Sequence, residues 1–161
     1  MFNASTLAFL GFLAASALAA SSGILFRPTA WYQTIVKPRW TPPNRVFPIV
    51  WTVLYLAMAM ATAGWLVWRK VGLAPVAFGL FAAQLVFNAA WSALFFGAKR
   101  PDLALIDLAL LWLAIAATLA IFAGIDGLAA ALFVPYLAWV TVAGALNLSI
   151  WRHNRGHLAH V

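Results

Sequence analysis

With 161 residues the chain has room for one domain; 66% of its residues are apolar, 8% are charged, and its formal net charge is +7. Soluble domains carry about 45–50% apolar and about 25% charged residues, so an ordinary soluble fold is excluded. Nor is the charge a nucleic-acid footprint: the ten Lys and Arg residues lie at the ends of apolar segments, where they meet lipid phosphates. Without cysteine there are no disulfides, no thiolate catalysis and no Cys-based metal site.

Five apolar segments, each near the ~20 residues that cross a bilayer, predict an all-α integral membrane protein. It is read as a single domain over 1–161, a five-transmembrane-helix bundle with a long aromatic loop between helices 1 and 2. The first segment, about 4–26, ends in an Ala-Leu-Ala pattern like a signal-peptide cleavage site. It lacks a positive n-region and outruns a typical h-region, so a retained helix is expected. Its Gly11, Ala15, Ala19 and Gly23 recur at four-residue spacing, which suits close packing within the bundle or in a homodimer.

Residues 27–45 then break the apolar pattern. The string WYQTIVKPRWTPPNRVFPIVW, residues 31–51, carries three tryptophans, a tyrosine, four prolines and the cations Lys37, Arg39 and Arg45. Amphipathic rings and fixed cations suit an anionic, flat, largely apolar ligand, and the linker is long enough to fold over a bundle as a lid. The second segment, about 46–68, has Asn44 as a candidate cap and Pro48 in its first turn. Arg69, Lys70 and Gly72 end it, and Pro75 opens the third, about 73–97. Pro101 and Asp102 start the fourth, about 102–123, and GIDG at 124–127 turns into the fifth, about 128–151. Pro135 should kink that helix and free the carbonyl of Ala131. Residues 152–161, with His153, His157 and His160, read as a solvated tail.

Topology follows from the cations. Arg27, Lys37, Arg39, Arg45, Lys99, Arg100, Arg152 and Arg155 share one side, against Arg69 and Lys70 on the other. The positive-inside rule puts the linker and C-terminus in the cytoplasm, with the bacterial cell membrane as the expected location.

Intramembrane polar groups are functional candidates by default. At ~1.5 Å per residue, Trp51, Trp91 and Asp107 lie roughly 8–9 Å below the linker surface. Asn147 is similar, Ala143 slightly deeper, Asn88 near ~14 Å and Trp139 near ~18 Å by the same rise. The opposite half is nearly all Ala, Leu, Val and Phe, so a pocket open toward the linker is expected. Gln84, Asn88 and Trp91 share one helical face, as do Phe47, Trp51 and Tyr55. So do Tyr136, Trp139 or Val140, Ala143 and Asn147. Asn and Gln also serve simply to hold helices together. Asp107 could pair with Asn147, with a linker arginine such as Arg45, or sit protonated in its apolar site, and it reads first as a structural tie between helix and linker. Trp65, Trp68 and Trp151 adjoin cations and read as interfacial belt residues, whereas Trp31, Trp40, Trp51 and Trp139 fit that reading less well.

KPRWTPP followed by VWTVLY, then QLVFNAAW, FFGAKR and ALIDLAL, and finally PYLAWV and ALNLSIWRHN resemble the tryptophan-rich sensory protein or translocator protein family (TspO/MBR, the peripheral benzodiazepine receptor family), as a bacterial-type member. The blocks run in order over about residues 27–155. The resemblance implies a five-helix bundle, commonly a homodimer, with a ligand cavity beneath the first loop. It implies porphyrin or haem, sterol, and isoquinoline or benzodiazepine-type ligands as partners. The matching cavity positions are Trp51, Asn88, Trp91, Trp139 and Ala143, with Trp31, Tyr32 and Trp40 in the aromatic loop; Tyr55 and Asn147 join them on the helical faces above. Some bacterial members promote light-dependent porphyrin breakdown, which would involve Trp51 and Trp139. The animal sterol motif needs a Tyr where LNLSIWR has Leu148; this speaks against sterol, although Arg27, Tyr32 and Val36 form the reverse pattern.

The function expected is a membrane receptor for porphyrins such as protoporphyrin IX and haem, with a sensory, scavenging or trafficking role in tetrapyrrole metabolism and stress. No hydrolytic triad, metal site or nucleotide motif can be assembled, so a conventional enzyme is not expected and no cofactor is obligatory. Photo-oxidative degradation of bound porphyrin and facilitated passage of small apolar solutes are the alternatives. All three histidines follow the last segment, so the usual axial ligands of haem iron are missing and metal-free protoporphyrin should bind at least as tightly as haem.

Overall fold

The structure is a computed structural model that describes residues 4–26, 28, 30–68, 74–124 and 126–158. Every regular element among them is helical: α1 (Ala4–Leu25), α2 (Ala30–Thr34), α3 (Val46–Trp68), α4 (Ala74–Ser92), α5 (Pro101–Ala123) and α6 (Gly127–Leu158). A π-helical turn, Ala93–Gly97, continues α4. Four stretches are long and apolar enough to cross a membrane: Thr6–Leu25, Gly79–Gly97, Pro101–Ala123 and Gly127–Gly156; Val46–Thr62 of α3 is a shorter apolar stretch.

Local chemistry sets the helix ends. Pro101 occupies the first turn of α5, where its missing N–H costs nothing. Asp126 caps α6, its Oδ1 accepting from the backbone N–H of Leu128 at 2.9 Å and Ala129 at 3.1 Å. The carbonyl of Pro43 accepts from Val46 N–H at 2.9 Å and turns the linker into α3. After the π turn, Lys99 adopts a left-handed φ of 56°, and Arg100 N–H closes back onto the Leu94 carbonyl at 2.9 Å.

Each long helix packs chiefly on two others, and the neighbours close into a ring in the order α1, α3, α6, α5, α4. Phe12 meets Phe81 edge-on at 4.9 Å, and Phe122 meets Phe133 at 5.2 Å, so aromatic rings fill the half of the ring remote from the linker. Met58, Leu111 and Ile115 are fully buried among them.

Two expectations change. The tail predicted from 152 is helical to Leu158, because nothing from Arg152 to Arg155 breaks a helix and Arg155 sits 4.1 Å over the Trp151 ring one turn back. Within the single chain the four-residue ladder on α1 does not pack as a unit, since Ala19 is buried but a Cβ at Gly11 or Gly23 would meet nothing within 4 Å; the homodimer contact that it also suits lies between chains. Pro135 lies inside α6, which runs on through it. Arg27, Arg69, Lys70, Gly72 and His160 fall outside the described residues, as do the side chains of Trp65, Trp68, Pro75 and His157.

Candidate functional site

The linker comes down onto the bundle through one helical turn, α2. Its Tyr32 is buried, edge-on to Phe95 at 6.2 Å and to Phe96 at 5.4 Å, while Trp31 meets Phe95 at 5.8 Å. Burial pushes the Tyr32 phenol above its ordinary pKa. The Lys37 ammonium closes the turn by donating to the carbonyls of Tyr32 and Ile35, and it lies 4.6 Å from the centre of the Tyr32 ring. Asn154 of α6 holds the next stretch: its Oδ1 accepts from Val36 N–H and its Nδ2 donates to Val36 C=O, both at 2.9 Å.

Beneath the linker lies a cavity of about 570 Å³, within the size range of small-molecule sites. One wall is α3, with Phe47, Trp51 and Tyr55; another is α4 and its π turn, with Asn88, Trp91, Phe95 and Phe96. The C-terminal turns of α1 and the Ala143, Asn147 and Ile150 face of α6 complete it, with Tyr32 and Asn44 on the linker side. Trp51 stacks on Tyr55 at 5.5 Å and meets Tyr136 edge-on at 6.0 Å. Trp91 stacks on Phe95 at 5.1 Å. Asn88 Nδ2 donates to Tyr136 Oη at 2.6 Å, and Trp91 Nε1 donates to Asn147 Oδ1 at 3.4 Å. Asn147 Nδ2 in turn donates to the Pro101 carbonyl at 2.7 Å, tying α4, α5 and α6 together behind the wall. The walls offer flat aromatic faces and a few neutral polar groups; among the described residues, no charged side chain lines them. Nor do the described residues hold a cluster of three or more His, Cys, Asp or Glu that could bind a metal.

Seven of the residues singled out by sequence thus share one wall system: Tyr32, Trp51, Tyr55, Asn88, Trp91, Ala143 and Asn147. Trp31, Trp40 and Trp139 are outside the lining. Trp40 is 52% exposed on the linker, and Trp31 backs Phe95. Trp139 packs against Phe47 at 5.6 Å, and its buried Nε1 is unpartnered. The expected tie between Asp107 and the linker is not made: Asp107 Oδ2 is buried without a hydrogen-bond partner, and Arg45 is exposed at the start of α3. Asn147 is committed instead to Trp91 and Pro101. Gln84 is fully buried and donates to Thr118 Oγ1 at 2.7 Å, a helix tie outside the cavity. Phe95, Phe96 and Asn154 were not singled out. Phe95 had a visible signal, standing four residues after Trp91 and seven after Asn88, with Phe96 four after Ser92; Asn154 stands seven residues, two helical turns, beyond Asn147.

Fold and cavity together define a helical membrane protein with an aromatic, ligand-sized chamber under an extramembrane linker. The sequence profile of the TspO/MBR family matches residues 5–152. The chain is 41% identical over 151 residues to "Protein CrtK" of Rhodobacter capsulatus, covering 92% of this chain and 93% of that one. It is 43% identical over 146 residues to the "Tryptophan-rich sensory protein" of Cereibacter sphaeroides, covering 91% and 90%. With the human "Translocator protein" it shares 42% over 130 residues, 78% of this chain and 76% of that. The chain belongs to the TspO/MBR family and is an integral membrane protein.

Proposed function

We propose that the protein is a membrane receptor for porphyrins, protoporphyrin IX in particular, with a sensory, scavenging or trafficking role in tetrapyrrole metabolism and stress. The observation that carries this reading is the cavity itself. Its volume is about 570 Å³, with indole and phenol faces from α3, α4 and the linker arranged around it. The ring system stacks inside, and the propionates point to the linker surface, where the cations are. In this reading five helices, α1 and α3 to α6, span the membrane, and the excess of basic residues puts linker and C-terminus in the cytoplasm. A relative named a sensory protein agrees with a receptor role.

Titration of tryptophan fluorescence with protoporphyrin IX in nanodiscs tests this. Trp51→Phe and Asn88→Ala, in the wall, should each weaken binding by about tenfold, a typical loss for one stacking or hydrogen-bonding partner. Trp40→Phe, on the exposed linker, should leave it unchanged. Equal affinity for all would overturn the site. A second reading, light-driven breakdown of the bound porphyrin by oxygen, draws on Trp51 stacked against Tyr55 within the wall. Product that forms in light, not in darkness, and is lost in Trp51→Phe would support it.

A further inference from the structure

We propose that Asn154 is a latch that holds the linker down over the cavity, so that it governs how fast a ligand exchanges without touching the ligand. The proposal rests on the cavity being the ligand site.

Three hydrogen bonds define the latch. Asn154 accepts from Val36 N–H at 2.9 Å and donates to Val36 C=O at 2.9 Å, across 118 residues of sequence. Its second amide hydrogen goes to the Ile150 carbonyl at 2.7 Å, one helical turn back, which fixes the rotamer. A carboxamide is the side-chain group that offers an acceptor and a donor side by side, so it can pair with one residue's backbone as a neighbouring strand would. The recognition is of backbone: the Val36 side chain is 54% exposed, whereas Asn154 is 3% exposed.

The position of this pairing makes it a closure and not just another tie. Ala143, Asn147, Ile150 and Asn154 follow at intervals of four, three and four along one face of α6, and the first three line the cavity. On the linker side, Val36 is followed by Lys37, which is bonded to the carbonyls of Tyr32 and Ile35. The stretch from Tyr32 to Lys37 is therefore one internally bonded unit, and Tyr32 is part of the cavity lining. Releasing Val36 from Asn154 frees that unit to lift, with Tyr32, from the mouth. Asn154 is thus a positioning residue: it belongs to the rigid wall and grips the movable cover.

The test uses the full chain in lipid nanodiscs and two readouts. Protoporphyrin IX release is followed by stopped-flow fluorescence. Access to the cavity is followed, without ligand, in a background with Ser92, a lining residue, changed to cysteine (Ser92→Cys), using a charged water-soluble thiosulfonate, since the chain has no other cysteine. Losing two net hydrogen bonds shifts a closed–open equilibrium by about tenfold or more. Asn154→Ala should therefore speed both release and labelling by about that factor. Asn154→Asp keeps the acceptor for Val36 N–H but sets a carboxylate oxygen against the Val36 and Ile150 carbonyls, so it should speed both at least as much as Asn154→Ala; it carries the test alone if Asn154→Ala fails to assemble. A cysteine at Thr62, buried in the remote half, reports general loosening and should label no faster in either variant. Unchanged Ser92→Cys labelling, or equal acceleration at both cysteines, overturns the latch. Faster labelling without faster release overturns its control of exchange. Failure of the wild type to bind protoporphyrin overturns the receptor reading, while the labelling arm still decides the latch.

Discussion

Gln84 sits inside the bundle with half of its amide satisfied, and its replacement by methionine separates polar groups that hold the fold from those that serve the cavity. Nε2 donates to Thr118 Oγ1 at 2.7 Å, while its 3.5 Å approach to the Ala114 carbonyl is too long to count for much. Oε1 is buried and has no partner. Gln84→Met loses one interhelical hydrogen bond, about 0.6 kcal/mol in a membrane bundle. It removes the orphaned oxygen, whose burial costs about 1–3 kcal/mol. Thr118 is not stranded, because its hydroxyl still donates to the Ala114 carbonyl at 2.8 Å. Methionine matches the volume and adapts its shape, so repacking should cost less than about 1 kcal/mol. The balance runs from about 0.6 kcal/mol of loss to about 2.4 kcal/mol of gain, which for a chain of this size lies between a fall of about 2 °C and a rise of about 10 °C in melting temperature. Circular dichroism melts in one detergent, run beside a porphyrin titration, make the check. The melting point should rise, or fall by no more than about 2 °C, and affinity should stay within about twofold. A fall of more than about 4 °C would show that Oε1 has a partner, such as an internal water, and would refute the reasoning.

Two other outcomes follow from the geometry. Metal-free protoporphyrin should bind at least as tightly as haem, because no histidine is among the residues that line the cavity; a strong preference for haem with an iron–protein ligand band in the absorption spectrum would contradict it. Gly97→Ala places a Cβ 2.8 Å from Cδ1 and 3.0 Å from Cε1 of Phe26, so the ring must swing off the π turn. Phe26 lines the cavity, so porphyrin affinity should drop about threefold, while the melting point, with only an exposed ring displaced, should move by less than about 2 °C; unchanged affinity would remove Phe26 from the wall.

What sequence could show was decided by periodicity and by depth. Positions on one helical face were legible at 3.6 residues per turn, which is why Phe47, Trp51 and Tyr55 fall together on the cavity wall of α3. Depth counting separated near from far but does not account for Trp139, which packs on Phe47 at the linker end of α3 while Tyr136, one turn deeper on α6, meets the wall residue Trp51. Which helices are neighbours could not be counted out. The guess that Asp107 reaches the linker failed on that point, since α5 contributes no residue to the cavity lining. Phe95 was legible by the same count, four residues after Trp91 and seven after Asn88, but a phenylalanine in an apolar helix carries no polar signal to single it out.

The same positional logic explains why the cavity is neutral although the chain is strongly basic. Cations in a membrane helix protein settle at headgroup level, at the ends of helices and in the linker. The cavity walls are built one to three turns lower, from Trp51, Tyr55, Asn88 and Asn147, where an unpaired charge would be costly. Lys37, the linker cation nearest the roof, is engaged by the carbonyls of Tyr32 and Ile35. Arg100 is paired with Asp102 through two contacts of 2.8 and 2.6 Å, and that carboxylate holds its guanidinium pKa above the ordinary value. In the proposed receptor reading, charge acts on the ligand at the rim and stacking acts on it inside. The two should separate experimentally: added salt should weaken binding of the dicarboxylic porphyrin but leave its dimethyl ester unaffected, because screening reaches exposed charges and not ring contacts within the wall. Equal salt dependence for acid and ester would show that the rim cations do not act on the propionates.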